Sequence, residues 1–348
     1  MRMYLCSLRR RKAAPVLFSS IALAAVLAFA GAVGCKSQTS GGESSAGAAS
    51  TVAAAPAASA DSLPADDAPP ASATGGFDGH RALQQVIKQV SFGPRPPSSP
   101  AIQQLQAYLK SELTSYGCKF DVDDFQVDTP VGHKTMENIL VKIPGDKPGI
   151  ILLGTHYDTK ILPDFVGADD AGSSTGVMLE LARNLCSQHG RYNVWIAFFD
   201  GEEATRVQWS DDDSVYGSRE MAARLANSGD LPKIKAFLLA DLVGGKKAHF
   251  KRDEESTKAL VDLMWGIAAK LGYGNIFVQE TTSIGGDDYT PFLKRKVPSV
   301  DVIDLDIVND VPYWHNQNGT DTLDKISAKS LAITGHVFLE TIKEMQSK

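Results

Sequence analysis

The sequence predicts an α/β domain built on one central, mixed and mostly parallel β-sheet flanked by helices. Three observations lead there. Short β-type apolar runs alternate with stretches whose apolar residues recur at helical spacing. Gly149-Ile150-Ile151-Leu152-Leu153-Gly154 is a continuous apolar run of strand length, the pattern of a strand covered on both faces. Acidic residues and histidines gather just after such runs, where open α/β sheets bind their ligands.

Taken in order, apolar residues at helical spacing predict helices over residues 80–90 and 101–116, parted by the breaker-rich Gly93-Pro94-Arg95-Pro96-Pro97. Residues 120–125 and 138–143 read as short strands, and 149–154 as the buried one. Helix 173–188, strand 194–199, helix 219–226 and strand 236–242 follow. Helix 257–271, strand 276–279, a helix near 288–295, strand 299–303 and a last helix over 326–346 complete the alternation. No internal repeat is visible.

The chain has 348 residues and a formal net charge of -6, which argues against a general nucleic-acid binder. Its one dense basic cluster, Arg9-Arg10-Arg11-Lys12, precedes an apolar run over residues 13–32, the order of a signal peptide over residues 1–34. That run is short for a membrane span and ends in small residues. Ala32-Val33-Gly34-Cys35 resembles the bacterial lipobox, which implies a lipid on Cys35, a membrane anchor and a place in the bacterial cell envelope. With Lys36 rather than Asp after it, the same resemblance points to the outer membrane. Secretion without a lipid is the alternative. Residues 35–76 are almost entirely small or polar after the cysteine and read as a disordered tether, leaving 77–348 as the folded domain. Cys118 and Cys186 either bridge in an oxidising compartment or remain two buried thiols.

The residues that carry chemistry sit at strand ends. His156 and Asp158 follow the 149–154 strand, Asp200, Glu202 and Glu203 follow 194–199, and Asp241 ends 236–242. Asp169 and Asp170 precede a helix, and His315 lies in a loop after the last strand. Singly each has a plainer role: Asp170 as a helix N-cap, Asp241 in a loop, Glu202 and Glu203 as solvated charges. Their convergence argues for a site. Histidine and carboxylates without thiolates suit a catalytic zinc with an open position. A further carboxylate beside the ion is what proton transfer there requires.

The segments His156-Tyr157-Asp158, Gly167-Ala168-Asp169-Asp170, Asp200-Gly201-Glu202-Glu203 and Tyr216-Gly217-Ser218-Arg219, with Gly93-Pro94-Arg95 upstream, resemble the M28 zinc aminopeptidase superfamily in order and spacing. The resemblance implies a zinc exopeptidase-like fold, one Zn2+ on Asp170, Glu203 and His315, and Glu202 as acid/base. His156 and Asp241 match the ligands of a second ion in two-zinc members.

Further stretches resemble the glutaminyl cyclases of that superfamily. They are Phe198 through Ala204, Trp209-Ser210, Asp287 through Arg295, and Trp314 directly before His315. This implies cyclisation of N-terminal glutamine on peptides or proteins to pyroglutamate, with release of ammonia. By the same resemblance Trp209 and Trp314 wall the substrate pocket, and Asp241 and Asp287 hydrogen-bond the acid/base Glu202. Tied up in that way, Asp241 is less available to a second ion. A metal-dependent aminopeptidase is the alternative. A peptide-binding scaffold without chemistry would be expected to have lost one of Asp170, Glu202, Glu203 or His315, and all four are present.

Overall fold

The computed structural model describes residues 67–306, 313–315 and 319–348. The expected signal segment 1–34, Cys35 and the expected tether up to residue 66 lie outside the described residues. The described residues begin at Asp67, ten before the expected boundary at 77. A 3-10 turn at Ala71–Ala73 and the buried Thr74 dock this approach, and Asp67 pairs with Lys329 at 2.6 Å.

Helices α1 (Gly79–Val90) and α2 (Pro100–Ser115) come first. Each opens on a side-chain cap: Asp78 accepts from the amides of His80 and Arg81, and Ser99 from that of Ile102, with proline at the first helical position of α2. Next come β1 (Phe120–Thr129), β2 (Gly132–Ile143), β3 (Gly145–His156), α3 (Gly172–Leu185) and β4 (Gly190–Phe199). Then follow α4 (Tyr216–Ser228), β5 (Ile234–Asp241), β6 (Phe250–Asp253), α5 (Lys258–Lys270), β7 (Phe277–Thr282), α6 (Thr290–Leu293), β8 (Ser299–Ile303) and α7 (Ala328–Ser347).

The main sheet runs β1-β2-β4-β3-β5-β8. β3, β4, β5 and β8 pair in parallel, while β1 and β2 add an antiparallel margin, so the sheet is mixed and mostly parallel, as expected. Both faces are covered. Ile151 and Leu153 of β3 point into a core shared with α1, α2, α3, α5 and α7; Ile150 and Leu152 point into a second core under α4 and α6. Burying each such side chain contributes roughly 1.5–3 kcal/mol.

Some details differ from expectation. The β1–β2 hairpin is longer than the two short strands read there, and most of β1 is exposed or half-buried, which weakens its apolar signal. β6 was not anticipated; it is four residues long and pairs with β7 in a separate two-stranded sheet. Helix 288–295 contracts to the single turn of α6, and α3 ends at Leu185. Cys118 and Cys186 are joined in a disulfide with Cα atoms 5.1 Å apart, which resolves the open alternative in favour of the bridge. Among the described residues no helix is long and apolar enough to cross a membrane.

Candidate active site

The carboxyl ends of β3, β4 and β5 deliver the acidic and imidazole groups to one place. His156 closes β3, Asp241 closes β5, and the turn after β4 carries Asp200, Glu202 and Glu203. That turn depends on Gly201, whose φ of +71° and 2.5 Å clearance to the Met136 sulfur would exclude a side chain. Asp169 and Asp170 arrive on the loop that enters α3. Asp170 is not the helix cap considered as its plainer role, because Ala171 holds that position without a side-chain hydrogen bond.

Two buried carboxylates set the direction of these acidic pairs. Asp158 accepts hydrogen bonds from the amides of Glu202 and Glu203 at 3.0 and 3.3 Å. Asp321 does the same for Asp169 and Asp170 at 2.9 and 3.0 Å. Asp169 in turn accepts from the amide of Gly244 and the hydroxyl of Tyr313, so it shapes the loop while its neighbour faces the site. Arg95, fully buried, donates to the carbonyls of Val166 and Gly167 at 2.7 and 3.1 Å, so Gly93-Pro94-Arg95 clamps the loop leading to Asp170.

The three expected ligands meet. His315 Nε2 lies 2.7 Å from Glu203 Oε1 and 2.9 Å from Asp170 Oδ2. A second cluster shares Asp170: His156 Nε2 is 3.2 Å from Asp170 Oδ1 and 3.2 Å from Asp241 Oδ1. Burial works against a proton on His315, yet the charge of Glu203 and the hydrogen bond to Asp170 pull it up to about 10. Burial would raise the Asp170 carboxyl, but hydrogen bonds from His156 and His315 hold it well below the ordinary range. Positive charge is thus drawn to the point where the three donors converge. Glu203 Oε2 is buried and makes no hydrogen bond among the described residues, with the Lys160 ammonium 3.5 Å from it. The donor set therefore fits a cation such as zinc.

Glu202 is buried, and that burial drives its proton affinity well above the usual carboxylate range; the charge of His156 opposes this, while Asp287 and Glu203 add to it. Asp287 is pushed up to about 7, by burial first and by Asp241 second. The wiring differs from the expected Glu202–Asp241–Asp287 network. Asp241 bonds to His156, and the charge of Asp287 helps raise the proton affinity of buried Asp301 on β8, after burial itself. Sequence reading missed Asp301, as it missed Asp321 and Lys160. The ammonium of Lys160 is buried 3.5 Å from Glu203 Oε2. These residues lie outside the segments that carry the resemblance, so no local pattern marks them.

Above the carboxylates is a cavity of about 310 Å3 walled by Trp209, Trp314, Ile284 and Leu305. Trp314 stacks on His315 with ring centroids 3.8 Å apart, and Phe165 meets the same imidazole edge-on at 5.5 Å. Around the site Val215, Leu242 and His315 hold positive φ of 47°, 49° and 42°, unusual for such residues. A larger cavity of about 740 Å3 beside Lys247, His249 and Asp306 gathers no comparable set of metal donors among the described residues.

Comparison with known proteins follows this geometry. The model of peptidase family M28 matches residues 138–342. The chain is 28% identical to the glutaminyl-peptide cyclotransferase of Dictyostelium discoideum over 305 residues, covering 74% of this chain and 83% of the relative. Its fold superposes on an Acidobacteriales bacterium glutaminyl cyclase with a TM-score of 0.72 and 38% identity, over 82% of this chain and 98% of that one. A Zn-dependent exopeptidase from Parabacteroides distasonis superposes with a TM-score of 0.70 and 28% identity, over 76% and 98% of the two chains.

Proposed function

Because this chain belongs to peptidase family M28, among its glutaminyl cyclases, we propose that it converts the N-terminal glutamine of peptides or proteins to pyroglutamate. The observation that carries the reading is a buried, proton-retaining Glu202 at the floor of a tryptophan-walled cavity, next to the converging Asp170, Glu203 and His315. Cyclisation forms a bond from the substrate's α-amine to its γ-carboxamide carbon and breaks the bond to the amide nitrogen, which leaves as ammonia. One proton must pass from the attacking nitrogen to the leaving one. Glu202 is the group placed to take and return it, since a carboxyl of raised proton affinity serves both halves of that transfer. Burial raises the proton affinity of Glu202 first, and the neighbouring carboxyl of Asp287 adds to that rise.

A zinc ion on Asp170, Glu203 and His315 would supply polarisation of the γ-carbonyl and stabilise its developing negative charge. Trp314 fixes the imidazole ring by stacking and, with Trp209, holds the glutamine away from water. One ion is expected from the resemblance to the glutaminyl cyclases. A second reading, an aminopeptidase with two ions, draws on the cluster of His156, Asp170 and Asp241. An ammonia-coupled assay on a Gln-dipeptide, run beside hydrolysis of a Leu-peptide with zinc stoichiometry on the same sample, separates them. Ammonia and a blocked N-terminus support cyclisation; free leucine without ammonia refutes it.

We also propose export to the bacterial envelope and lipid anchoring at Cys35, which rest on the basic, apolar and small-residue order of residues 9–35. Palmitate labelling in cells that is lost on Cys35→Ala supports the anchor; unlabelled native protein refutes it.

A further inference from the structure

We propose that a small basic cavity adjoining the reactive one is a subsite for an acidic side chain, one or two positions after the substrate's N-terminal glutamine; this deepens the cyclase reading and rests on it. The cavity holds about 150 Å3, room for one side chain, and shares Trp209, Gly286 and Asp287 with the reactive cavity. Trp209 is 40% exposed, so part of its indole is open to a passing chain. A side chain at Gly286 would fall 3.6 Å from that indole, and the φ of 154° there belongs to glycine, so the rim common to both cavities is kept bare.

Across that rim the charge changes sign. The reactive cavity is floored by Asp170, Glu202, Glu203, Asp241 and Asp287. The smaller one is lined by Arg219, Lys294 and Arg295, with exposed Asp211 the only carboxylate besides the shared Asp287. In a chain of net charge -6, three cations around so small a space are a local inversion. Two of them are held in position. The Arg219 guanidinium lies 4.6 Å over the Tyr216 ring and donates to the Asp211 carbonyl at 3.3 Å, and Arg295 donates to the Pro291 carbonyl at 3.0 Å. Lys294 sits 3.7 Å from the Asp211 carboxylate with both groups largely in solvent, a pair too weak to satisfy it.

Substrate geometry leads there. A glutamine whose amine lies by Glu202 and whose carboxamide reaches the ligand cluster must direct its own carbonyl outward over the rim. Each further residue advances the chain by at most ~3.3–3.6 Å, so the second or third side chain meets the basic cavity. An acidic side chain there gains the three cations; a basic one is repelled by them.

The test is the ratio of kcat/KM for Gln-Glu-Ala and Gln-Ala-Glu to that for the matching lysine peptides, on the full chain at low ionic strength. A preference of about two- to fivefold for the acidic peptides is expected, the effect of one partly exposed ion pair. In Lys294→Glu and in Arg295→Glu the ratio should fall to one or below, and 0.5 M salt should flatten it in the native chain. Because each variant is compared with itself across peptides, partial unfolding cancels. Equal rates on acidic and basic peptides, or a preference that survives both reversals, overturn the subsite. No ammonia from any glutamine peptide overturns the cyclase reading instead.

Discussion

Replacing Asp321 tests how the ligand Asp170 is aimed. This carboxylate is 1% exposed, and its two oxygens accept the amides of Asp169 and Asp170 at 2.9 and 3.0 Å. Asp321→Ala leaves both donors buried without partners. Each orphaned donor costs ~1–3 kcal/mol, so the pair costs roughly 2–6 kcal/mol. Against a domain stability of ~5–15 kcal/mol that is a large fraction. Asp321→Asn is the graded control, since its carbonyl retains one acceptor while its amide nitrogen faces the other N–H, for about half the loss. Freed of Asp321, the loop no longer holds the Asp170 carboxylate 2.9 Å from His315, and zinc affinity should fall ~10–100-fold, as when other supporting partners of ligands are removed. Urea unfolding measures the first quantity, and competition with a chromophoric chelator the second. Both should rank native above Asn above Ala. A folded Asp321→Asn that binds zinc as tightly as the native chain would refute the reasoning.

Three further outcomes are expected. Glu202→Gln should lower kcat by ~10²–10⁴ while zinc stays bound, whereas Glu203→Ala loses both; near-normal turnover by the first variant would remove Glu202 from the proton path. Replacing Cys118 and Cys186 together by serine opens a 68-residue loop, for which chain entropy gives a loss of ~4 kcal/mol, read as a drop in urea midpoint. Asp304 has its proton affinity raised to about 7, by burial first and the charge of Asp169 second. The folded state keeps a proton that the unfolded chain gives up near pH ~3.9, so this group makes stability decline as pH rises toward 7 and adds nothing further above it. Asp304→Asn should flatten that decline by up to ~1.4 kcal/mol per pH unit between pH 5 and 7; an unchanged slope would contradict the assignment.

The parallel centre of the sheet was legible because β3 and β4 are buried on both faces and therefore read as unbroken apolar runs. β1 was read too short because most of it is exposed or half-buried, and β6 was missed because four residues, two of them half-buried, carry no period. The site shows the same division. His156, Glu202, Glu203 and Asp241 stand in recognisable segments at strand ends and Asp170 in one before α3, and the fold brings them together with His315. Their supports could not be read locally. Asp321 acts on amides some 150 residues away, and Asp301 stands on β8, outside the segment that carries Asp287. The expected proton network had the right carboxylates in the neighbourhood but wired Asp241 to Glu202, where the structure pairs it with the buried imidazole of His156. The disulfide was undecided for a similar reason: a separation of 68 residues is silent on whether two Cα atoms end 5.1 Å apart.

The position of that disulfide separates endurance from speed. Cys186 caps the far end of α3, while Asp170 lies just before its near end. A helix of 14 residues puts about 20 Å between them, so cutting the bond leaves the reacting groups where they were. What changes is the rate at which the chain opens and is lost to proteases or aggregation. Reduced and oxidised enzyme should share their kinetic constants when fresh and differ in half-life, so that the redox state of the surroundings governs how many turnovers one molecule completes before it fails.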